Sequence, residues 1–104
     1  MILITYTTIY RSVGDKFKRV AETMARELQN EGSVSCVGIE SKRDLKAIFH
    51  QMESDGQEID QFHFVGHSGM YGPMFGSEKY PEQFSPYEWK TLNIPFSDGA
   101  SAYF

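Results

Sequence analysis

The sequence predicts an α/β protein with helices on both faces of a parallel sheet. Short segments rich in β-forming residues alternate with segments of helical periodicity along the 104 residues. This alternation is typical of parallel strands joined by right-handed crossovers. We expect one three-layer domain over residues 1–104, with its strands in the order 2-1-3-4. An apolar segment closes the chain without a helix to cover it, so we also expect the chain to be a fragment of a longer protein.

The first strand is predicted over Ile2–Tyr6, which is apolar enough to be buried on both faces. A helix follows, because apolar residues recur at three- and four-residue steps. Ser12 with Asp15 is a weak variant of a capping box at its start, and Gly32 is expected to end it. The apolar positions of this helix are Phe17, Val20, Ala21, Met24, Ala25 and Leu28.

The second strand is predicted over Val34–Ile39, with Cys36 as a small buried residue within it. Ser41 with Asp44 repeats the capping pattern and starts a second helix. Gly56 is expected to end this helix. A third strand over Ile59–Gly66 follows. The apolar face of the second helix comprises Leu45, Ile48, Phe49 and Met52.

The segment from His67 to Pro86, about 20 residues, has little periodicity, and a loop of that length in a small domain is usually functional. Ser85-Pro86-Tyr87-Glu88 is the clearest helix start of the chain and predicts a short helix to about Leu92. A fourth strand is predicted over Ala100–Phe104, introduced by a turn at Ser97–Gly99.

Composition argues against several classes of partner. The net charge is −4 and no basic stripe is visible, so a nucleic-acid partner is not expected. One cysteine, Cys36, rules out an internal disulfide and suits a reducing compartment. No apolar run approaches the roughly 20 residues of a membrane span, and the first strand starts directly after Met1 without a signal peptide. We therefore expect a cytoplasmic protein without membrane contact.

His67 is the best catalytic candidate. It follows an apolar strand and is flanked by Gly66 and Gly69. Open α/β sheets bind ligands at the carboxyl ends of their strands, and an imidazole there can act as a general base near neutral pH. A histidine that only shapes the loop through a backbone hydrogen bond is the equally weighted alternative.

Other chemistry is less well supported by the residue pattern. His63 and His67 are about 13 Å apart along a strand, too far to share a metal without a bend at Gly66, so no metal site is predicted. The segment Gly66–Met70 approaches a serine nucleophile elbow, but Met70 replaces the final glycine of that motif. Ser68 is therefore interpreted as a turn residue.

Four residues at the strand end and in the following loop are the candidate ligand-binding residues: Gly66, Ser68, Gly69 and Tyr71. Tyr71 and the other aromatic residues of the loop either pack the loop on itself or line an apolar pocket. Arg11 follows the hydroxyls of Thr7 and Thr8 and precedes a helix, a setting that suits an anion. Helix capping with a solvated arginine is the alternative there.

Parallel strands with Gly66-His67-Ser68-Gly69 ending the third resemble the first half of the caspase-like cysteine peptidase fold, which includes caspases, metacaspases and separases. In that group a strand ending in His-Gly supplies the base, and the next strand ends in Ala-Cys. The resemblance implies that His67 is the base and that Ala100–Phe104 is the nucleophile strand. Ser68 replaces the usual glycine and no cysteine follows Phe104. A chain without the nucleophile is expected to be inactive alone and to need no cofactor.

Two further resemblances concern the loop and the first strand. The segments Tyr71–Gly76 and Pro81–Pro86 are similar to an uncharacterised bacterial family whose corresponding last strand continues into a cysteine. Ile2–Tyr6, together with Val65–Ser68 and Tyr71-Gly72, resembles flavodoxin-like proteins. That second resemblance implies a non-catalytic module that binds a nucleotide, a flavin or a protein partner through residues 67–86. Ile9-Tyr10-Arg11-Ser12 does not match the phosphate-binding loop of that family.

Self-association through Ala100–Phe104 is expected if this predicted fourth strand forms a sheet edge.

Overall fold

The computed structural model describes residues 1–9 and 15–104, in which three helices accompany seven strands. In chain order these are β1 (Ile2–Thr7), α1 (Lys16–Leu28), β2 (Val34–Ile39), α2 (Lys42–Ser54), β3 (Ile59–Val65), β4 (Ser68–Gly69), β5 (Gly72–Gly76), β6 (Pro81–Gln83), α3 (Pro86–Thr91) and β7 (Phe96–Tyr103). None of the described helices is long and apolar enough to span a bilayer.

The main sheet has four parallel strands in the order β2-β1-β3-β7. β1 lies in the interior of the sheet, and five of its six residues are buried, because its apolar side chains face both layers of helices. The predicted α/β class and the order 2-1-3-4 are confirmed, with β7 as the fourth parallel strand.

The two faces of this sheet are covered to different extents. On one, here called the α2 face, Leu45, Phe49 and Met52 of α2 join Leu3 and Phe62 in the larger core. Trp89, Leu92 and Ile94 pack against the same core. On the other, the α1 face, Ala21 is fully buried against Ile2 and Ile4. The apolar faces of the two long helices therefore pack on opposite sides of one sheet.

Several helix ends follow the sequence signals. Ser41 Oγ accepts a hydrogen bond from the Asp44 N–H at 3.2 Å, as the capping pattern predicts. Ser85 and Glu88 form a complete capping box at the start of α3. Gly56 follows α2 with φ +68°, the left-handed conformation that ends many helices. Ser12 lies outside the described residues, and Asp15 makes no side-chain cap.

The segment 67–86 is not the irregular loop predicted from its weak periodicity. β4, β5 and β6 form a second, antiparallel sheet. Pro73 and Phe75 alternate inward on β5, and Phe84 is fully buried after β6. Each strand is too short, and too interrupted by glycine and proline, to give a readable alternation.

Three further predictions need correction. β7 spans Phe96–Tyr103 rather than Ala100–Phe104, and Ser97–Gly99 lie within it as a bulge with Gly99 at φ +75°. Cys36 is half-buried rather than buried, because β2 is an edge strand of the sheet. Val20, expected on the buried stripe of α1, is 45% exposed.

Candidate functional site

His67 lies just beyond the carboxyl end of β3 and its side chain is exposed, as predicted. Its ring meets the Phe17 ring edge-on, with the centroids 5.5 Å apart. The His67 carbonyl accepts a hydrogen bond from the Met74 N–H at 2.9 Å. α1 on one side and β5 on the other thus hold the histidine at the carboxyl edge of the main sheet.

Gly66 directly precedes His67, and on the α2 face the packing around Gly66 leaves no room for a side chain. A Cβ on Gly66 would lie 2.7 Å from Thr7 Oγ1 and 2.9 Å from the Phe64 ring. The Thr7 side chain is buried, and within the described parts of the chain its hydroxyl has no hydrogen-bond partner. The ends of β1 and β3 are therefore closely packed around the Thr7 hydroxyl. An unpaired buried hydroxyl of this kind is unusual.

Ser68, Gly69 and Tyr71 belong to the β4–β5 hairpin that follows His67. Ser68 is exposed and lies opposite Pro73, so it is not at the strand-to-helix turn of a serine nucleophile. A Cβ on Gly69 would lie 2.7 Å from Gln83 Nε2, which shows how tightly β4 packs against the second sheet. The Tyr71 carbonyl accepts a hydrogen bond from Trp89 Nε1 at 2.7 Å.

A groove of about 430 Å³ runs along the α1 face beside this edge, between α1 and the β3–β7 pair. Phe17, Val20 and Met24 form one wall and Tyr103 lies in the other. In the groove the His63 ring stacks on Tyr103 with centroids 4.6 Å apart. Its Nε2 is 2.9 Å from the Gln61 amide oxygen. Burial lowers the pKa of His63, and the charge of Glu31 opposes this shift.

The only cysteine is remote from His67. Cys36 pairs with Ile4, and Ile4 pairs with His63. Cys36 is therefore two strands, or about 10 Å, away from His63 across the sheet. His67 lies four residues further along the chain than His63. Burial raises the pKa of its thiol, and the nearby Glu22 carboxylate raises it further. Cys36 is therefore a protonated thiol outside the site.

Arg11, the predicted anion ligand, lies outside the described residues, as do Tyr10 and Ser12–Gly14. Among the described side chains no group of three His, Cys, Asp or Glu could hold a metal ion.

Sequence reasoning missed two neighbours of the site. Phe17 was assigned to the core of α1, and nothing in the sequence places its ring against His67. Thr7 was noted as a hydroxyl at a strand end, but its contact with Gly66 depends on the register between β1 and β3.

Comparison with known proteins adds no constraint on this site. No match was found to any family model, to any curated protein or to any solved structure.

Proposed function

We propose that this chain carries the general-base half of a cysteine-type hydrolase site. His67 is the base, and a thiol supplied at the carboxyl end of β7 is the nucleophile. One observation carries the proposal: the exposed His67 imidazole follows β3 at the sheet edge where the adjacent parallel strand β7 also ends. A base near neutral pH and a thiol at neighbouring strand ends are the two groups that this chemistry needs.

The register supports the approach of the two groups. His63 pairs with Tyr103, so a strand continuing past Phe104 would run beside Val65, Gly66 and His67. Neighbouring strands lie about 4.8 Å apart. A side chain within three positions of Phe104 would therefore come within reach of the imidazole.

The hairpin after His67 offers a donor for developing negative charge. Ser68 faces Pro73, which has no N–H, so the two form a non-hydrogen-bonded pair of the antiparallel ladder. The Ser68 N–H therefore points away from β5, and β4 is an edge of the small sheet. A backbone N–H directly after the base is suited to stabilise an oxyanion.

The proposal is tested by appending a cysteine one, two or three positions after Phe104 in a Cys36→Ser background. At one of these positions His67 should form an ion pair with the thiolate and lower the thiol pKa below its usual value of about 8.5. Alkylation by iodoacetamide at pH 6 would then accelerate by about threefold for each unit by which that pKa falls, because the larger thiolate fraction is partly offset by lower nucleophilicity. Release of a fluorogenic peptide or ester product is the second measurement.

His67→Gln is the decisive variant and His50→Gln, an exposed histidine on α2, is its matched control. The acceleration should disappear in the first variant and persist in the second. Equal alkylation rates in all three proteins, at every position of the appended cysteine, would remove the basis for the hydrolase proposal.

A second candidate function is a flavodoxin-like binding module that uses residues 67–86. The observation in its favour is the exposure of apolar side chains in the segment 67–86: Met70 is 87% exposed, and Tyr71 and Tyr80 are also exposed. Titration with a flavin mononucleotide, followed by fluorescence, should then give saturable quenching that Tyr71→Ala weakens. Linear, non-saturating quenching would eliminate a flavin ligand.

The proposed setting of either function is the cytoplasm, without nucleic-acid partners. The net charge of −4 and a reduced, half-buried cysteine support it. Self-association through Ala100–Phe104 stays a prediction, and the Ala102→Lys variant described below tests it.

A further inference from the structure

Among the described residues, β2 is a regular edge strand of the main sheet. All six of its residues pair in register with β1, from Ile2 with Val34 to Thr7 with Ile39. Its sequence, Val-Ser-Cys-Val-Gly-Ile, contains no charged residue and no proline. Natural edge strands usually carry charges, proline or bulges that discourage pairing with another chain, and β2 has none of these.

The opposite edge strand of the main sheet, β7, differs from β2 in the regularity of its pairing and in its residues. The register of β7 against β3 shifts between Ile59 and Gln61, so only Ser101–Tyr103 continue as a regular ladder. Asp98 and the left-handed Gly99 lie in the bulge. β7 thus carries the protective features that β2 lacks, and an added strand would fit β2 better.

The backbone groups of β2 that face away from β1 can be assigned. Thr8 N–H donates to the Ile39 carbonyl at 3.1 Å, and Ile2 N–H donates to the Ser33 carbonyl at 2.8 Å. Odd-numbered residues of β2 therefore bond to β1. Val34, Cys36 and Gly38 direct their N–H and C=O groups outward, away from the sheet.

We propose that β2 is a self-association edge that pairs antiparallel with β2 of a second copy of this chain. A two-fold axis perpendicular to the sheet keeps both α1 faces on one side and joins the two sheets into one. Centring the axis on Cys36 pairs Val34 with Gly38 and Cys36 with Cys36. This register uses every outward backbone group of the strand, whereas a shift by two residues leaves some of them unpaired.

The α1 layer fits the same arrangement. α1 lies mainly over β1 and β2, so this dyad places the two α1 helices side by side on the same face of the joined sheet. Glu22 acts electrostatically on Cys36, and Ala25 and Arg26 line the same groove as Cys36. The two α1 helices cross antiparallel at the level of Cys36 in this arrangement. Glu22 of each copy then lies near the oppositely charged Arg26 of the other. The groove of about 390 Å³ between α1 and the β2 edge is filled by the second copy.

Light scattering on the native chain between about 1 µM and 1 mM, the Kd range of small interfaces, is the first measurement. The expected result is a dimer whose fraction rises with concentration. In the proposed register the two Cys36 Cα atoms are about 5.5 Å apart, close enough for a short bismaleimide to link the two thiols. The covalent dimer should be mapped by peptide mass spectrometry to Cys36–Cys36.

Two matched lysine variants distinguish the sheet edges. Ser35→Lys places a charge on β2 of each copy and should raise the dimer Kd by about tenfold. Ala102→Lys places the same charge on β7 and should leave the Kd within about twofold. Chemical unfolding checks that both variants are folded.

Three results would overturn the inference. A native chain that stays monomeric to about 1 mM excludes a self-association edge altogether. A dimer weakened by Ala102→Lys but not by Ser35→Lys assigns the interface to β7 instead. A β2-dependent dimer in which the short bismaleimide links no Cys36 pair excludes the register centred on Cys36.

Discussion

At the scale of single residues, the pKa shift of His63 has a defined sign. Burial in the groove beside Tyr103 lowers its pKa, and Glu31 only partly offsets this. The folded state therefore holds the proton of this ring less tightly than the unfolded chain. The stability that the neutral ring contributes is complete above the ordinary histidine pKa of about 6.5 and is lost as the pH falls through the lower folded-state value.

We therefore expect the melting temperature to fall between pH 8 and pH 5 more steeply in the native chain than in His63→Phe. Phenylalanine keeps a ring against Tyr103 and removes the titrating group. Carboxylates that titrate in the acid range are common to both proteins, so their effect cancels when the two melting-temperature profiles are compared. His50→Gln is the matched control and should follow the native profile. Parallel profiles for the native chain and His63→Phe would contradict the expectation.

At the scale of elements, α1 and α2 have the same length and similar sequence patterns but different degrees of burial. Leu45 on α2 is fully buried in the larger core. Leu28 on α1 is only half-buried, and Ala21 is the one fully buried residue among those described in α1. A helix that covers only part of its sheet face contributes less apolar burial.

Leu45→Ala is accordingly expected to lower the free energy of unfolding by about 2–5 kcal/mol, the range for well-packed core leucines. Leu28→Ala should cost only about 1 kcal/mol, because much of its side chain remains in water. Urea unfolding followed by circular dichroism measures both. Equal losses in the two variants would mean that α1 is packed as closely as α2.

The same elements explain what the sequence could and could not predict. Periodicity identified both long helices and three of the parallel strands, because each is long enough to repeat its pattern. Periodicity could not reveal how much of the apolar face of α1 would be buried, because that depends on the width of the sheet beneath the helix. β4 has two residues and β6 has three, too few for any alternation to be recognised.

The candidate site was predictable to a similar extent. His67 follows a long apolar strand, so its place at the sheet edge could be read from the sequence. The Phe17 ring contact and the Thr7–Gly66 packing arise from pairing between distant segments. The bulge at Ser97–Gly99 was mistaken for a turn because the same residue types favour both structures.

At the scale of the whole molecule, the second sheet shares the larger core with the main sheet through Phe75 of β5 and Phe84. Polar contacts also join it to the start of α2. The Glu82 carboxylate on β6 accepts a hydrogen bond from the Lys42 N–H at the start of α2, at 3.0 Å. The Gly76 N–H at the end of β5 donates to the Glu40 carbonyl at 2.7 Å. The strands of the second sheet have only two, five and three residues, whereas β1 is an interior strand of the main sheet that contributes to both cores. We therefore expect the two sheets to open separately.

Hydrogen exchange of the native chain should show amides of β1 and β3 exchanging only by global unfolding, and amides of β5 and β6 exchanging faster by local opening. Glu82→Ala removes the contact with α2 and should accelerate exchange in residues 72–83 by about tenfold, the effect of losing one charge-assisted hydrogen bond. Glu78→Ala, an exposed carboxylate in the same segment, is the matched control and should change nothing. Acceleration that extends equally to β1 and β3 would instead mean that both sheets unfold as a single cooperative unit.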